Sequence, residues 1–275
     1  MVADPAVLQP KLDRFADKNA IMADSVPAGT GRRNILTLRP RLETALRLLQ
    51  GGEVLADIGC DHGRFGAAAL RRGLFKSVIA SDISAPSLEK AKKLSDKLGL
   101  TEAFSFRLSD GLSALAPGEA DHAVLLGMGG ELIVSILESG KETAHAFRGI
   151  VMQPMRGEAE LRQYLYENGY AIDGEAVTFD SGRYYQLIAA HYSPDEAHPL
   201  PQGWPEGYYQ FGPAALEKHE AELLPMMRKY LAVMRRKLAA AEKKGHVPAA
   251  LIREEKCTAK LIEMYLEGGG TAAED

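Results

Sequence analysis

One stretch of the chain gathers residues that could do chemistry. Residues 56–66 read ADIGCDHGRFG, with glycines at 59, 63 and 66 and with Asp57 and Asp61 on either side of the first glycine. A Gly-rich turn after an apolar run usually cradles a nucleotide, because glycine lets backbone N–H groups approach phosphate at a helix N-terminus. Here the spacing departs from G-x-G-x-x-G, and both carboxylates aim negative charge at the place where a pyrophosphate would lie. Such a turn repels phosphate and favours a cation.

S-Adenosylmethionine carries a sulfonium and an ammonium and no phosphate, so its charge fits this turn. Two further acids extend the candidate pocket. Asp82 ends a second apolar run, where a carboxylate can accept both ribose hydroxyls. Asp110, in the SDG of residues 109–111, ends a third, where it could accept from an adenine amino group while Gly111 admits the ring. His62 lies inside the loop, a place where a lone histidine more often buttresses a turn than transfers a proton.

Two motifs follow at the next strand ends. GMGG at residues 127–130 either makes a tight turn, which needs glycine in any case, or leaves room for a planar base beside the methyl donor. Many amino-methylating enzymes of nucleic acids carry an Asn/Asp-Pro-Pro-aromatic element there, and this chain lacks it. MQP at residues 152–154 offers Gln153 either as an amide reader of a base edge or as a strand-end surface residue. Tyr184 and Tyr185 read as sheet packing, and Trp204 as an anchor for a linker.

Positioning these residues requires an alternating βα scaffold. Residues 38–50 place Leu42, Ala45, Leu46 and Leu49 on one helical face, closed by Gly51 and Gly52. Strands are expected at 53–59, 76–84, 103–111, 122–130 and 148–154, with helices at 65–73, 84–100, 131–140 and 156–169 between and after them. The 84–100 helix has Ser84 as cap and Pro86 in its first turn. Apolar strands alternating with helices predict an α/β parallel sheet covered on both faces. Residues 170–192 read instead as two strands joined at Asp180-Ser181-Gly182, an antiparallel hairpin closing the sheet. A parallel sheet finished in this way is the Rossmann-like layout of class I S-adenosylmethionine-dependent methyltransferases. Beyond it, a Pro-rich connector leads to a long helical pattern that bends or starts near Pro225. A second helix over 248–268 follows, which predicts an antiparallel helical pair.

Composition narrows the class. At 275 residues, 46% of them hydrophobic, the chain can bury a substantial core. Cys60 and Cys257 are too few for a disulfide framework and lack metal-ligand spacing, which predicts a cytoplasmic protein with no metal. No window resembles a signal peptide or membrane span. The net charge of −4 gives no global attraction for nucleic acid, although Arg32, Arg33, Arg39 and Arg41 cluster early and Arg228, Lys229, Arg235, Arg236 and Lys237 cluster late.

With these residues assembled, the chain resembles the bacterial tRNA adenine(22)-N1-methyltransferase family (TrmK). The resemblance runs over about residues 38–192 and rests on RLE at 41–43, ADIGCDH at 56–62, LLGMGGELI at 125–133, MQP at 152–154 and the final hairpin. Residues 1–34, which mix Pro, Gly and charge, read as an N-terminal arm that extends beyond the family pattern, and the resemblance implies a catalytic domain at 35–192 and a linker with a helical pair at 193–275 that binds tRNA or forms a homodimer. It implies methylation of N1 of an adenine in the D-arm region of tRNA. Carried over by position, Asp57, Gly59, Asp61 and His62 form the cofactor loop, Asp82 and Ile83 the ribose position, and Asp110 and Gly111 the adenine position. Gly127, Met128, Gly129 and Gly130 line the target-base side, and Asp61 together with 127–129 forms the catalytic set. Arg41, Gln153 and Pro154 are expected beside the substrate, with Arg32, Arg33, Arg39, Arg228, Arg235 and Arg236 on tRNA phosphates. Met155 departs from the family, which commonly has Asn there. A small-molecule methyltransferase and a non-catalytic RNA-binding protein on the same fold are the alternatives.

Overall fold

A computed structural model describes residues 36–197 and 208–268, which belong to one compact unit. The arm with Arg32 and Arg33, and Trp204 of the connector, lie outside the described residues.

Strands β1 (Val54–Ile58), β2 (Ser77–Asp82), β3 (Phe104–Leu108), β4 (His122–Met128), β5 (Gly149–Pro154), β6 (Tyr170–Asp180) and β7 (Arg183–Tyr192) form one sheet in the order β3-β2-β1-β4-β5-β7-β6. The first five run parallel, and β7 pairs antiparallel with both β5 and β6. The expected α/β sheet with a closing hairpin is thus the observed one. Strand order reverses between β1 and β4, so a crevice opens at their carboxyl ends.

The continuous apolar runs of the central strands have a direct cause. Leu55, Val124 and Val151 pack on one face with residues of α1 (Pro40–Leu48), α2 (Arg64–Arg71) and α3 (Ala85–Leu98). Ala56, Ala123, Leu125, Ile150 and Met152 pack on the other with α4 (Gly130–Ser139), α5 (Lys141–Ala146) and α6 (Glu158–Glu167). Both faces of every central strand are therefore buried, and alternation disappears from the sequence.

Local signals act as read, with small shifts. Ser84 Oγ accepts from the N–H of Ser87 at 3.3 Å and caps α3. Helix α1 starts at Pro40, whose fixed φ suits a first helical position, rather than at 38. A separate short helix, α5, follows Gly140 where the sequence reading has none. The hairpin turns on Ser181 (φ 52°) and Gly182 (φ 84°), the two left-handed positions of a two-residue loop.

The helical pair consists of α9 (Leu223–Lys243) and α10 (Ala249–Gly268), preceded by the short α7 (Tyr208–Phe211) and α8 (Pro213–Glu217). Pro225 falls in the first turn of α9, so it starts the helix rather than bending it. Val177 of β6 packs with Phe211, Leu216, Leu223, Met227 and Leu261 in a separate apolar cluster. Beside it, the fully buried Arg162 donates Nε–H to Glu175 Oε1 at 2.5 Å and Nη2–H to Gln186 Oε1 at 2.8 Å. Its Nη1 reaches the carbonyl of Tyr209 at 2.7 Å, and Glu175 Oε2 accepts from the N–H of Ala214 at 2.9 Å. This polar knot fastens α7 and α8 to the sheet.

Candidate functional site

The carboxyl ends of β1 and β2 meet through backbone hydrogen bonds. The N–H groups of Gly59 and Cys60 donate to the carbonyl of Ser81 at 2.8 and 3.0 Å, and the N–H of Asp61 donates to Asp82 Oδ2 at 3.0 Å. Asp82 Oδ1 accepts from the N–H of Ser84 at 2.8 Å. Asp82 therefore holds the Gly-rich turn in place besides facing the crevice.

Within that turn, glycine is required for two different reasons. Gly63 has φ 67°, and a β-carbon there would stand 2.8 Å from Ala91 Cβ, so the glycine lets α2 start against α3. At Gly59 (φ 70°) a β-carbon would meet Met128 Cε at 2.3 Å. The GMGG motif thus reaches across and touches the DIG motif, and two segments some seventy residues apart in sequence become one site.

Three carboxyls gather here. Asp57 is buried, and its Oδ2 accepts from the N–H of Gly66 at 3.2 Å. Burial, reinforced by the charges of Asp82 and Asp61, pushes its pKa up to about 7 against the lowering effect of that hydrogen bond. Asp61 is exposed in the left-handed region (φ 49°), with Oδ2 2.6 Å from His62 Nδ1. His62 is exposed as well, beside the Asp61 carboxylate in the same loop. Burial pushes the Cys60 thiol far up, so it is a packing residue and not a nucleophile. A cationic ligand would draw Asp57 back to its charged form, and the donor set is therefore of the right chemistry for S-adenosylmethionine.

Asp110 is exposed after β3, Ile83 and Leu108 are exposed as well, and Asp82 and Leu108 are register partners at the ends of β2 and β3. The N–H of Ser109 donates to the carbonyl of Asp82 at 3.0 Å, which ties the third strand end to the second. Gly111 has φ 56°, and a β-carbon on it would meet Ile136 at 3.0 Å. Its glycine therefore answers to backbone conformation and helix packing as well as to access for a ring.

On the other side of the crevice, β4 bulges between Leu126 and Met128, with Gly127 at φ 78°. Gly130 has no room at all, since a β-carbon would lie 2.3 Å from the carbonyl oxygen of Gly157. Gly127, by contrast, is exposed, and among the described residues beyond its chain neighbours a β-carbon on it would meet Arg41 alone. The tight-turn reading of GMGG applies to Gly130, and the open-space reading applies to Gly127.

Gln153 corrects both sequence readings. It is 1% exposed, so it is no surface residue, and both ends of its amide are engaged, so no free edge remains to read a base. Its Oε1 accepts from Arg41 Nη1 at 2.8 Å, and its Nε2 donates to the carbonyl of Pro154 at 2.7 Å. Pro154 is buried as well. Arg41, whose guanidinium also lies 5.8 Å from the Tyr185 ring centre, is the member of this group that borders Gly127.

The remaining arginines separate by pairing. Arg39 hydrogen-bonds Ser181 Oγ at 2.6 Å and lies 3.8 Å from Asp180, and Arg235 is paired with Glu255 at 2.8 Å. Lys229 donates to the carbonyl of Gly182 at 3.2 Å. Arg228 and Arg236 are exposed on α9 without an acidic partner among the described residues. Sequence reasoning missed Arg156, an exposed cation directly after the MQPM segment; its adjacency to a strand end was the available signal. Among the described residues no group of His, Cys, Asp and Glu is arranged to hold a metal ion, and no helix is long and apolar enough to cross a membrane.

A family model described as a methyltransferase domain matches residues 38–188. The tRNA (adenine(22)-N(1))-methyltransferase of Bacillus subtilis (strain 168) is 34% identical over 157 residues, which span 57% of this chain and 66% of that protein, just under two thirds. The crystal structure of the B. subtilis M1A22 tRNA methyltransferase TrmK superposes with a TM-score of 0.70 at 27% identity, covering 85% of this chain and 99% of that one. The fold is shared with Streptococcus pneumoniae Sp1610 in complex with S-adenosyl-L-methionine, at TM-score 0.71 and 24% identity over 81% of this chain and 98% of that one. With the sheet order, the acidic turn and its contact with GMGG already established, the match over residues 38–188 makes the chain a member of the methyltransferase-domain family.

Proposed function

We propose that this protein transfers a methyl group from S-adenosylmethionine to N1 of an adenine in tRNA, at position 22 by analogy with its TrmK relatives. The observation that carries the reading is the contact between Gly59 and the Met128 side chain, which joins an acidic, cation-favouring turn to the GMGG turn, where exposed Gly127 leaves space. When bound, S-adenosylmethionine supplies a methyl group activated by its sulfonium.

The chain's residues do the rest by binding and alignment. Asp57, Asp61 and Asp82 favour a cationic ligand on the β1–β2 side, and Asp82 keeps the loop in shape through its two backbone hydrogen bonds. Exposed Gly127 leaves space for a planar base on the β4 side. Adenine N1 has an in-plane lone pair, so no side chain has to remove a proton before attack, and the contribution of the site is orientation and electrostatics. Asp61, exposed at the crevice, is placed to accept from the exocyclic amine or to stabilise the cationic product. Because N1 lies on the Watson–Crick edge, a paired target must first be unpaired or flipped out.

The charges on the appendage that have no acidic partner among the described residues, Arg228 and Arg236, suit RNA phosphates, and the exposed Ile252 and Leu266 of α10 are where two copies would pair. Light scattering reads the second point. The first experiment is to incubate the protein with methyl-labelled S-adenosylmethionine and unmodified tRNA transcripts and to identify the labelled nucleoside. N1-Methyladenosine at position 22 is the expected product. Label on a small molecule in the absence of RNA would move the protein to the first alternative, and cofactor binding without turnover on any RNA would move it to the second. Asp61→Asn with full turnover at saturating substrates would remove Asp61 from the catalytic set.

A further inference from the structure

Two guanidinium groups border the GMGG turn. A β-carbon at Gly127 would stand 3.6 Å from Arg41 Nη1, and one at Gly129 would stand 3.7 Å from Arg156 Nε. Two residues of chain span at most about 7 Å. Both cations therefore flank the same short piece of backbone, over which the target base is placed in the reading above.

Neither cation is neutralised. Arg41 donates to the uncharged Gln153 amide and lies near the uncharged Tyr185 ring, and the guanidinium of Arg156, whose main-chain carbonyl accepts from the N–H of Gly130 at 2.8 Å, has no hydrogen-bond or ion-pair partner among the described residues. This sets them apart from Arg39, Arg72, Arg107, Arg162 and Arg235, each of which lies against a carboxylate. Arg41 is also held in place. The buried Gln153 amide that supports it is fixed at its other end by the Pro154 carbonyl at 2.7 Å and lies 3.6 Å from Met155 Sδ. A buried side chain whose amide is committed at both ends leaves its partner little freedom.

Charge in the crevice is consequently divided. Carboxyls stand at the ends of β1 and β2, where a cation is wanted, and unpaired guanidiniums stand beside β4 and β5, where RNA would enter. Guanidinium forks match phosphate geometry and hold it by short, charge-assisted hydrogen bonds. We propose that Arg41 and Arg156 form a clamp for one backbone phosphate of the RNA strand whose base lies over residues 127–130, with Gln153 as the positioning residue for Arg41. This rests on the reading that the substrate is tRNA.

The test compares the wild type with Arg41→Ala, Arg156→Ala, Arg156→Lys, Gln153→Met and Arg148→Ala, using unmodified tRNA transcript. Arg148 lies at the opposite end of the sheet, 3.7 Å from Asp121, and serves as a control for general charge effects. The readouts are KM for tRNA, Kd for S-adenosylmethionine, thermal midpoint, and tRNA binding by fluorescence anisotropy across a salt series. Arg41→Ala and Arg156→Ala are expected to raise KM for tRNA about tenfold or more and to lower the salt slope by about one, with cofactor Kd unchanged. Arg156→Lys keeps the slope and part of the affinity. Gln153→Met reproduces the KM rise of Arg41→Ala without its charge loss, with cofactor Kd unchanged and a thermal midpoint lowered by the loss of the buried bond to the Pro154 carbonyl.

Wild-type KM and salt slope in Arg156→Ala overturn the clamp, as does an equal loss in Arg148→Ala. If the wild type binds tRNA but transfers no methyl group to it, the enzymatic reading fails, and the anisotropy series still decides the clamp. Weakened binding in both alanine variants then upholds it, and unchanged binding removes it.

Discussion

The main-chain N–H of Asp61 donates to Asp82 Oδ2 at 3.0 Å, so the acid that ends β2 also shapes the loop that follows β1. A single side chain thus couples two strand ends and contributes charge to the site they form. Removing it should affect loop order and cofactor binding together. Asp82→Ala deletes acceptors for two backbone N–H groups and is expected to cost about 1–3 kcal/mol of stability. Isothermal calorimetry should show S-adenosylmethionine affinity lowered by about a hundredfold or more. Asp82→Asn, which can still accept one of the two bonds, should fall between. Unchanged affinity in Asp82→Ala would show that the carboxylate serves the loop alone.

Gly127 and Gly130 should respond oppositely to alanine. At Gly130 the new methyl would lie 2.3 Å from a backbone carbonyl oxygen that cannot move without shifting the start of α6, so Gly130→Ala is expected to cost roughly 3 kcal/mol or more. At Gly127 the methyl meets nothing closer than Arg41 Nη1 at 3.6 Å, and the expense is mainly its φ of 78°, about 1–2 kcal/mol. Gly127→Ala should therefore remain folded and lose turnover, whereas Gly130→Ala should lose its fold first. Thermal melts alongside methyl-transfer assays separate the two, and equal losses of stability would contradict the steric account.

Asp57 should make both stability and cofactor binding depend on pH. Its pKa, about 7 in the folded chain against the ordinary 3.8, is raised by burial, so the folded state favours the neutral acid. The resulting stability is fully present below pH 3.8 and is lost as pH rises through about 7, with an upper bound of roughly 4 kcal/mol. The ligand-free protein is thus expected to gain stability at neutral pH on Asp57→Asn, and the gain should vanish in acid. A cationic ligand reverses the preference, so affinity should rise from pH 6 to 8 with release of a proton. Calorimetry in buffers of different ionisation enthalpy measures that proton, and its persistence in Asp57→Asn would assign it elsewhere.

The Arg162–Glu175 pair should govern the attachment of the appendage. Both side chains are about 1% exposed, and between them they bind backbone groups of Tyr209, Gln210 and Ala214. Arg162→Met leaves a buried carboxylate without its partner and is expected to destabilise by about 3–5 kcal/mol, more than Arg162→Met combined with Glu175→Gln. Hydrogen exchange should show residues 208–217 losing protection before the central strands. Uniform loss of protection would mean that the knot stabilises the whole domain and does not act as a local fastener.

The short-range chemistry of this protein was legible in its sequence. Apolar runs interrupted at glycine and aspartate located the strand ends, Ser84 announced a helix start, and Ser181-Gly182 announced the hairpin, because each depends on conformational preferences of a few adjacent residues. The acidic turn was readable for the same reason, since charge repulsion with phosphate needs no tertiary context. Position along the chain could not reveal which side chains become partners across it. Gln153 reads as a free amide until β5 buries it against Arg41, and Arg162 reads as one more helical cation until it proves to be buried against Glu175. Arg156 has no motif, and it gains significance only because the fold sets it beside Gly129. Local propensity fixed the elements and the strand-end chemistry; packing in three dimensions decided burial, pairing and therefore which charges remain free to act.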